Sequence, residues 1–143
     1  MVNLNIRVEA TGPLFEAAES KQRLEKAVNR SIERLIQMGE EKLALMLRPR
    51  PAGVYLSVAE AQKGKASTGH YRRSIHGVTE HLHGRIDDSG VVYGPWLEGT
   101  SSRNETTRFK GYASFRRVGQ ALVREAPRVL ESEIRKAVNE LNQ

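Results

Sequence analysis

Arg103, Arg108, Lys110, Arg116 and Arg117 lie in one short stretch, with Glu105 the only acid among them, a local charge of +5 − 1 = +4. Phe109, Tyr112 and Phe115 are interleaved with these cations. Cations set between stacking rings suit single-strand or phosphate binding. Arginine beside aromatic residues also suits a protein–protein contact, here in a segment carrying Gly94, Gly99 and Gly111. Trp96 is the only tryptophan and sits in the same stretch between Pro95 and Leu97; its alternative place is the core. Lys63, Lys65, Arg72 and Arg73 make a second basic group.

Other chemistry is weakly represented. His81 and His83, two apart on a strand, would share a face and could chelate a metal, with His70 and His76 nearby. As solvent-facing residues of a polar hairpin they need no metal, and no carboxylate at helical spacing completes a ligand set. Asp87 and Asp88 could pose as paired acids, but Asp87-Asp88-Ser89-Gly90 is sufficient as a turn. There is no Gly-x-Gly-x-x-Gly and no Gly-x-Ser-x-Gly, and Gly64-Lys65-Ala66 lacks the flanking residues of a phosphate loop. With 0 cysteines, disulfides, thiolate metal sites and a cysteine nucleophile are excluded. The expectation is a non-enzyme without cofactor.

These residues must be held by a small fold. Val2, Leu4, Ile6 and Val8 alternate with polar residues, the period of a half-buried strand. From Leu14 to Leu47 the spacing becomes helical, through Leu24, Val28, Ser31/Ile32, Leu35, Gly39, Leu43 and Met46, until Arg48-Pro49-Arg50-Pro51 stops it. Gly39 is the weak point of that helix and marks a bend or a close backbone contact. Val54 to Val58 reads as a short strand, and the polar stretch 60–69 as a mobile loop. Ser74 to Ile86 is β-like, and the Asp87–Gly90 turn leads to Val91-Val92-Tyr93, which predicts a hairpin. Gly94 to Tyr112 reads as irregular, with a mobile loop over 99–111. From Val118 a helical stripe returns through Leu122, Leu130, Ile134 and Leu141, with Pro127 marking either a kink or a second helix. One α+β domain over 1–143 is expected: a small antiparallel β-sheet packed by a long N-terminal helix and a C-terminal helix.

The 143 residues suit one domain, and 38% hydrophobic content supports a core. The net charge of +6 comes from mixed signs, 28% of residues being charged, which argues against wholesale disorder. No apolar run approaches a membrane span, and Met1 to Asn5 has no signal-peptide pattern. A cytoplasm-like setting without a membrane is expected, so Asn104-Glu105-Thr106 matches a glycosylation pattern by chance.

Thr68-Gly69-His70-Tyr71-Arg72-Arg73-Ser74-Ile75 resembles the T-G-x-(L/Y)-(R/K)-x-S-I segment of small neck proteins of long-tailed bacteriophages, the tail-completion, head-to-tail connector or tail-component proteins. Val92-Tyr93-Gly94-Pro95-Trp96-Leu97-Glu98-Gly99-Thr100 is similar to their Y-(A/G)-P-(Y/W)-(V/L)-E-x-G-T segment. One residue is missing after Glu98, and Thr107-Arg108-Phe109 lacks the proline of the family's R-P-F stretch. The resemblance implies a structural virion protein that joins the DNA-filled head to the tail. It would form a ring, commonly hexameric, between connector or portal-side proteins and the tail terminator or tail tube. DNA would pass through the lumen, and the protein would reside in the virion neck and in the host cytoplasm during assembly. A tail terminator is the neighbouring alternative, and a basic nucleic-acid-binding module the alternative from another class. Trp96, Leu97, Arg103, Arg108, Phe109, Tyr112 and Phe115, with Gly99 and Thr100, are expected in subunit or partner contacts, and Glu98 as the ion-pair partner of an arginine.

Overall fold

The computed structural model describes residues 1–7, 9, 16–47 and 69–142. Val8, the strand expected over Val54–Val58 and all but the last residue of the loop expected over 60–69 lie outside the described residues.

The chain opens with β1 (Val2–Asn5), shorter than the alternation suggested. Val2 and Leu4 turn inward while Asn3 faces solvent, as period two requires. The helix α1 (Ala18–Met46) buries Leu24, Ala27, Val28, Ser31, Ile32, Leu35, Ile36, Gly39 and Leu43, so the stripe read from sequence is the stripe that packs. Ser31 is tolerated there because its hydroxyl donates to the Ala27 carbonyl at 2.8 Å, which satisfies it within the helix.

A single turn of helix, α2 (His70–Arg73), leads into β2 (His76–Glu80) and β3 (His83–Asp87). The sheet order is β1-β3-β2 with antiparallel neighbours throughout. Asn3, Arg85 and Val78 stand in one row across it, and Leu4, Gly84 and Thr79 in the next. The hairpin differs from the one expected. It turns at His81-Leu82, and Val91 to Tyr93 form no strand. No glycine or asparagine marks this turn. Leu82 adopts a left-handed φ of 55°, and its amide donates to Asn29 Oδ1 of α1 at 2.7 Å. A tertiary hydrogen bond thus holds the turn that local sequence would not favour.

After the turn at Asp87–Gly90 come α3 (Gly94–Glu98), α4 (Ser102–Thr106) and the long α5 (Ser114–Leu141). Helix α5 is continuous through Pro127, which lies on its exposed side. It buries Phe115, Val118, Leu122, Val129, Glu133 and Ala137, with Leu130 and Ile134 only half buried. Helices α1 and α5 pack on each other and on the sheet, around Ile32, Leu35, Leu43, Ile86, Val118 and Leu122. The fold is α+β: a three-stranded antiparallel sheet packed by a long N-terminal and a long C-terminal helix.

Gly39 sits where all three layers meet. A Cβ there would strike Ile86 Cδ1 and lie 3.0 Å from Leu122 Cδ1, so the glycine permits a close approach. Below it, Glu133 is a buried carboxylate, receiving Arg34 of α1 at 2.8 Å and Lys136 at 3.0 Å. The hydrogen bond from Lys136, and then that from Arg34, hold its carboxyl below the usual range against the opposing effect of burial. A depressed carboxyl stabilises the fold above its unfolded value and loses that contribution as pH falls through the folded one. The stability difference between the parent and Glu133→Gln is therefore expected to shrink as pH is lowered from 6 to 3, measured by denaturant midpoints. A constant difference would contradict this.

Candidate functional site

Residues 87–116 form one folded module between the sheet and the start of α5. It begins with two side-chain-backed turns, Asp87 Oδ1 accepting from the Ser89 amide at 2.9 Å and Asp88 Oδ1 from the Gly90 amide at 3.1 Å. Pro95 then sits in the first turn of α3, where its missing N–H is harmless. Helix α3 ends at Gly99, with a left-handed φ of 94°, and the Gly99 and Thr100 amides both return to the Pro95 carbonyl.

Gly99 is required by its neighbour as much as by its dihedral. It lies against Gly111, itself at φ 90°, and a Cβ on Gly99 would run into the Lys110 carbonyl oxygen. The Tyr112 amide donates to the Leu97 carbonyl at 2.7 Å beside this contact, closing the segment 99–111 at its base.

The closed segment is filled by Asn104. Ser101 caps α4 in a capping box, and Asn104 Oδ1 accepts from the Ser101 amide at 3.1 Å. The Asn104 amide group donates to the carbonyls of Trp96 at 3.0 Å and Phe109 at 3.1 Å. Lys110 Nζ adds a bond to the Asn104 carbonyl at 2.8 Å. The stretch expected to be irregular over Gly94–Tyr112 instead holds α3 and the capped α4, a correction that follows from one buried asparagine tying α4 to its flanks.

The expected contact residues divide accordingly. Leu97 and Phe115 are buried in the chain's own core, at 3% and 4% exposure, which removes them from a partner surface. Among the described residues Glu98 is paired to no arginine side chain. Its carboxylate accepts from the Phe115 and Arg116 amides, both at 3.0 Å, and so caps α5, whose N-terminal partial positive charge it complements. Phe109 packs between Trp96 and Tyr112, tilted against the first and edge-on to the second, with ring centroids 4.6 Å and 5.0 Å apart. Trp96 and Phe109 are half buried and Tyr112 is exposed. Thr100, Arg103 and Arg108 are exposed, and Gly99 is half buried. Sequence reasoning missed Asn104 and Val92. The Ser101-to-Asn104 spacing was a usable signal for the first, whereas Val92 is 95% exposed only because the turn at 91–93 replaced a strand.

The two segments that carry the resemblance meet in space. Tyr71 of the first packs its ring 6.0 Å from that of Tyr93 of the second. Burial, and then the charge of Asp88, which also accepts a hydrogen bond from it, push the Tyr71 hydroxyl well above its ordinary value. Burial likewise raises Tyr93, whose buried Oη has no hydrogen-bond partner among the described residues. Tyr93→Phe should therefore leave stability unchanged or raise it by up to about 1 kcal/mol, since removing an unsatisfied hydroxyl carries no penalty. A loss of more than that on chemical denaturation would show that the hydroxyl is bonded in the protein.

Among the described residues no group of three or more His, Cys, Asp or Glu side chains could hold a metal ion. His81 stands in the hairpin turn, 3.9 Å from Glu25, and His83 at the start of β3, so the two do not share a strand face. No helix among the described residues is long and apolar enough to cross a membrane. No family model, no curated protein and no solved structure matches the chain.

Proposed function

We propose that this protein is a structural component of the neck of a tailed bacteriophage, forming a ring that joins the filled head to the tail. The supporting observation is the convergence of the two resembling segments: Tyr71 packs on Tyr93, and Gly94 lies tight against Asp88 and Tyr71. Residues shared with the neck proteins have structural work in that unit. Pro95 starts α3, Leu97 enters the core, Glu98 caps α5 and Gly99 closes on Gly111. Partners are the connector on one side and the tail terminator or tube on the other, with DNA passing through the lumen and no reaction catalysed.

The surface left for those partners is the rim of the module: Val92, Thr100, Arg103 and Arg108, with the exposed Tyr112 beside them. Trp96→Ala would disturb the ring stack and the fold, so it is a poor probe of joining. Val92→Asp and Arg108→Glu are the clean probes, since exposed substitutions away from packing change stability by less than about 0.5 kcal/mol. Each variant should keep the parental melting temperature and lower the yield of joined particles. Normal joining by both would remove this rim from the interface.

The proposal is tested by electron microscopy of lysates in which the protein is inactivated. Separate filled heads and finished tails are expected; joined, infectious particles would refute it. Copurification with free tails would favour the terminator role. DNA binding that weakens by orders of magnitude between about 50 and 200 mM salt would instead favour the nucleic-acid-binding module.

A further inference from the structure

We infer that the groove between β1 and the first half of α5 takes an extended, acidic segment of a partner protein, which pairs with the open edge of β1 and lays its carboxylates against Arg116 and Arg124. This goes beyond the neck reading and is tested on the free protein.

The groove holds about 540 Å³, with β1 on one side and one face of α5 on the other. Among the described residues β3 is the only strand paired with β1, so the second edge of β1 keeps its backbone groups for another strand. Val2–Asn5 contains no proline or lysine to guard that edge. The far edge of the sheet differs, since the Gly77 amide of β2 donates to Glu40 Oε1 at 2.7 Å. On α5 the groove is lined by Arg116, Gly119, Gln120, Val123 and Arg124, spaced as one helical stripe. Val123 is 66% exposed. Gly119 stands in the middle of that stripe. Glycine inside a helix costs stability, and packing does not demand it here: an added Cβ would meet only the Val2 methyls, at 3.7 and 3.8 Å, an ordinary contact. Its missing side chain leaves depth that the chain itself does not fill.

Charge selects the occupant. Residues 114–124 of α5 carry Arg116, Arg117 and Arg124 and no acid. The rest of the helix pairs its cations, Arg128 with Glu125, Arg135 with Glu131 and Lys136 with Glu133. Arg116 and Arg124 are exposed, and among the described residues neither guanidinium meets a carboxylate; Arg124 Nε donates to the Gln120 carbonyl at 3.3 Å. A cation in the first turn of a helix faces its positive end, so nothing in α5 itself favours Arg116 there. A little over two helical turns, about 12 Å, separate the two arginines, the span of about four extended residues. Side chains four apart on a strand share a face, so carboxylates at that spacing reach both arginines while the residue midway between them meets Gly119 and Val123. Backbone pairing then supplies affinity and the side chains supply selectivity. An apolar wall beside an open backbone edge suits a peptide better than a nucleic acid.

The test uses the purified protein and a fluorescein-labelled peptide, Thr-Glu-Thr-Val-Thr-Glu-Thr, whose Glu, Val and Glu share one face of a strand. It should bind, with amide shifts confined to Val2–Asn5 and the first half of α5. Its counterpart with lysine for both glutamates should bind about tenfold more weakly or worse, and Arg116→Glu/Arg124→Glu should reverse that order. Methylating alternate amide nitrogens of the peptide should abolish binding in one phase and spare it in the other, the signature of strand pairing. Gly119→Leu should fill the groove, keep or raise the melting temperature, and weaken the peptide about tenfold or more. No binding of the glutamate peptide, equal binding of the two peptides, or binding unchanged in Gly119→Leu would overturn the assignment. So would displacement of the peptide by an equal concentration of a single-stranded thymine oligonucleotide, which gives the arginines to nucleic acid. Self-association of the parent that the charge reversal abolishes would also overturn it, giving the groove to a second copy.

Discussion

Gly99→Ala should destabilise the protein by about 3 kcal/mol or more, enough to remove much of a small domain's reserve. Two effects combine. An alanine at a left-handed φ of 94° costs about 1–2 kcal/mol by itself. Its Cβ would also meet the Lys110 carbonyl oxygen, a backbone atom held in place by the Tyr112-to-Leu97 hydrogen bond, so no side-chain rotation relieves the clash. Gly90→Ala is the internal control. Its φ is 72°, also left-handed, but nothing lies within 4 Å of the added carbon. Chemical denaturation of both variants separates the dihedral contribution from the contact. Equal losses would show that Gly99 and Gly111 do not press together.

A comparable loss is expected at Asn104. Asn104→Asp replaces the amide NH2, which supplies both donors, by one oxygen that faces the carbonyls of Trp96 and Phe109. The Trp96 carbonyl loses this partner, the Phe109 carbonyl keeps only the Thr107 hydroxyl at 3.2 Å, and with the carboxylate ionised both are set against a negative charge; about 3 kcal/mol is expected, against about 2 for Asn104→Ala. The aspartate variant has a pH signature that alanine lacks. Its folded environment disfavours the charged form, so its carboxyl is raised relative to the unfolded chain, and stability is recovered as pH falls. Protonated, it can donate to one of the two carbonyls. Stability curves of the two variants that remained parallel from pH 7 to pH 4 would show that Asn104 does not bridge Trp96 and Phe109. Loosening of the segment by either variant would be visible as faster amide exchange over residues 99–111.

Gly99 lies in one of the two segments that resemble phage neck proteins, and the structure gives it an internal duty, its close approach to Gly111. The resemblance rested on residue types; the structure gives those residues internal duties in helix capping, close backbone approach and ring stacking. The rim around Val92 and Arg108 stays exposed.

Strong periodicity made the frame legible. Leu24, Val28, Ile32, Leu35, Gly39 and Leu43 recur at helical spacing, and burying that face is worth far more than any local preference opposing it. The same holds for Val118 and Leu122 on α5, and for Val2 and Leu4 on β1. The hairpin was misplaced because Asp87-Asp88-Ser89-Gly90 is the strongest turn signal in the region, and it does form a turn, but into a helix. The reversal between the strands sits at His81-Leu82, held by Asn29 on a helix distant in sequence.

The roles of Glu98 and Asn104 were illegible for the same reason. A carboxylate near arginines suggests an ion pair, and a buried asparagine looks like any polar loop residue. Each acquires its function from backbone atoms that only folding brings within reach: the Phe115 and Arg116 amides for Glu98, the Trp96 and Phe109 carbonyls for Asn104. The sequence by itself determined the two amphipathic helices and the α+β class, because hydrophobic burial follows spacing along the chain. Tertiary structure decided the turn, the caps and the ring stack, because a hydrogen bond depends on where backbone groups meet in space.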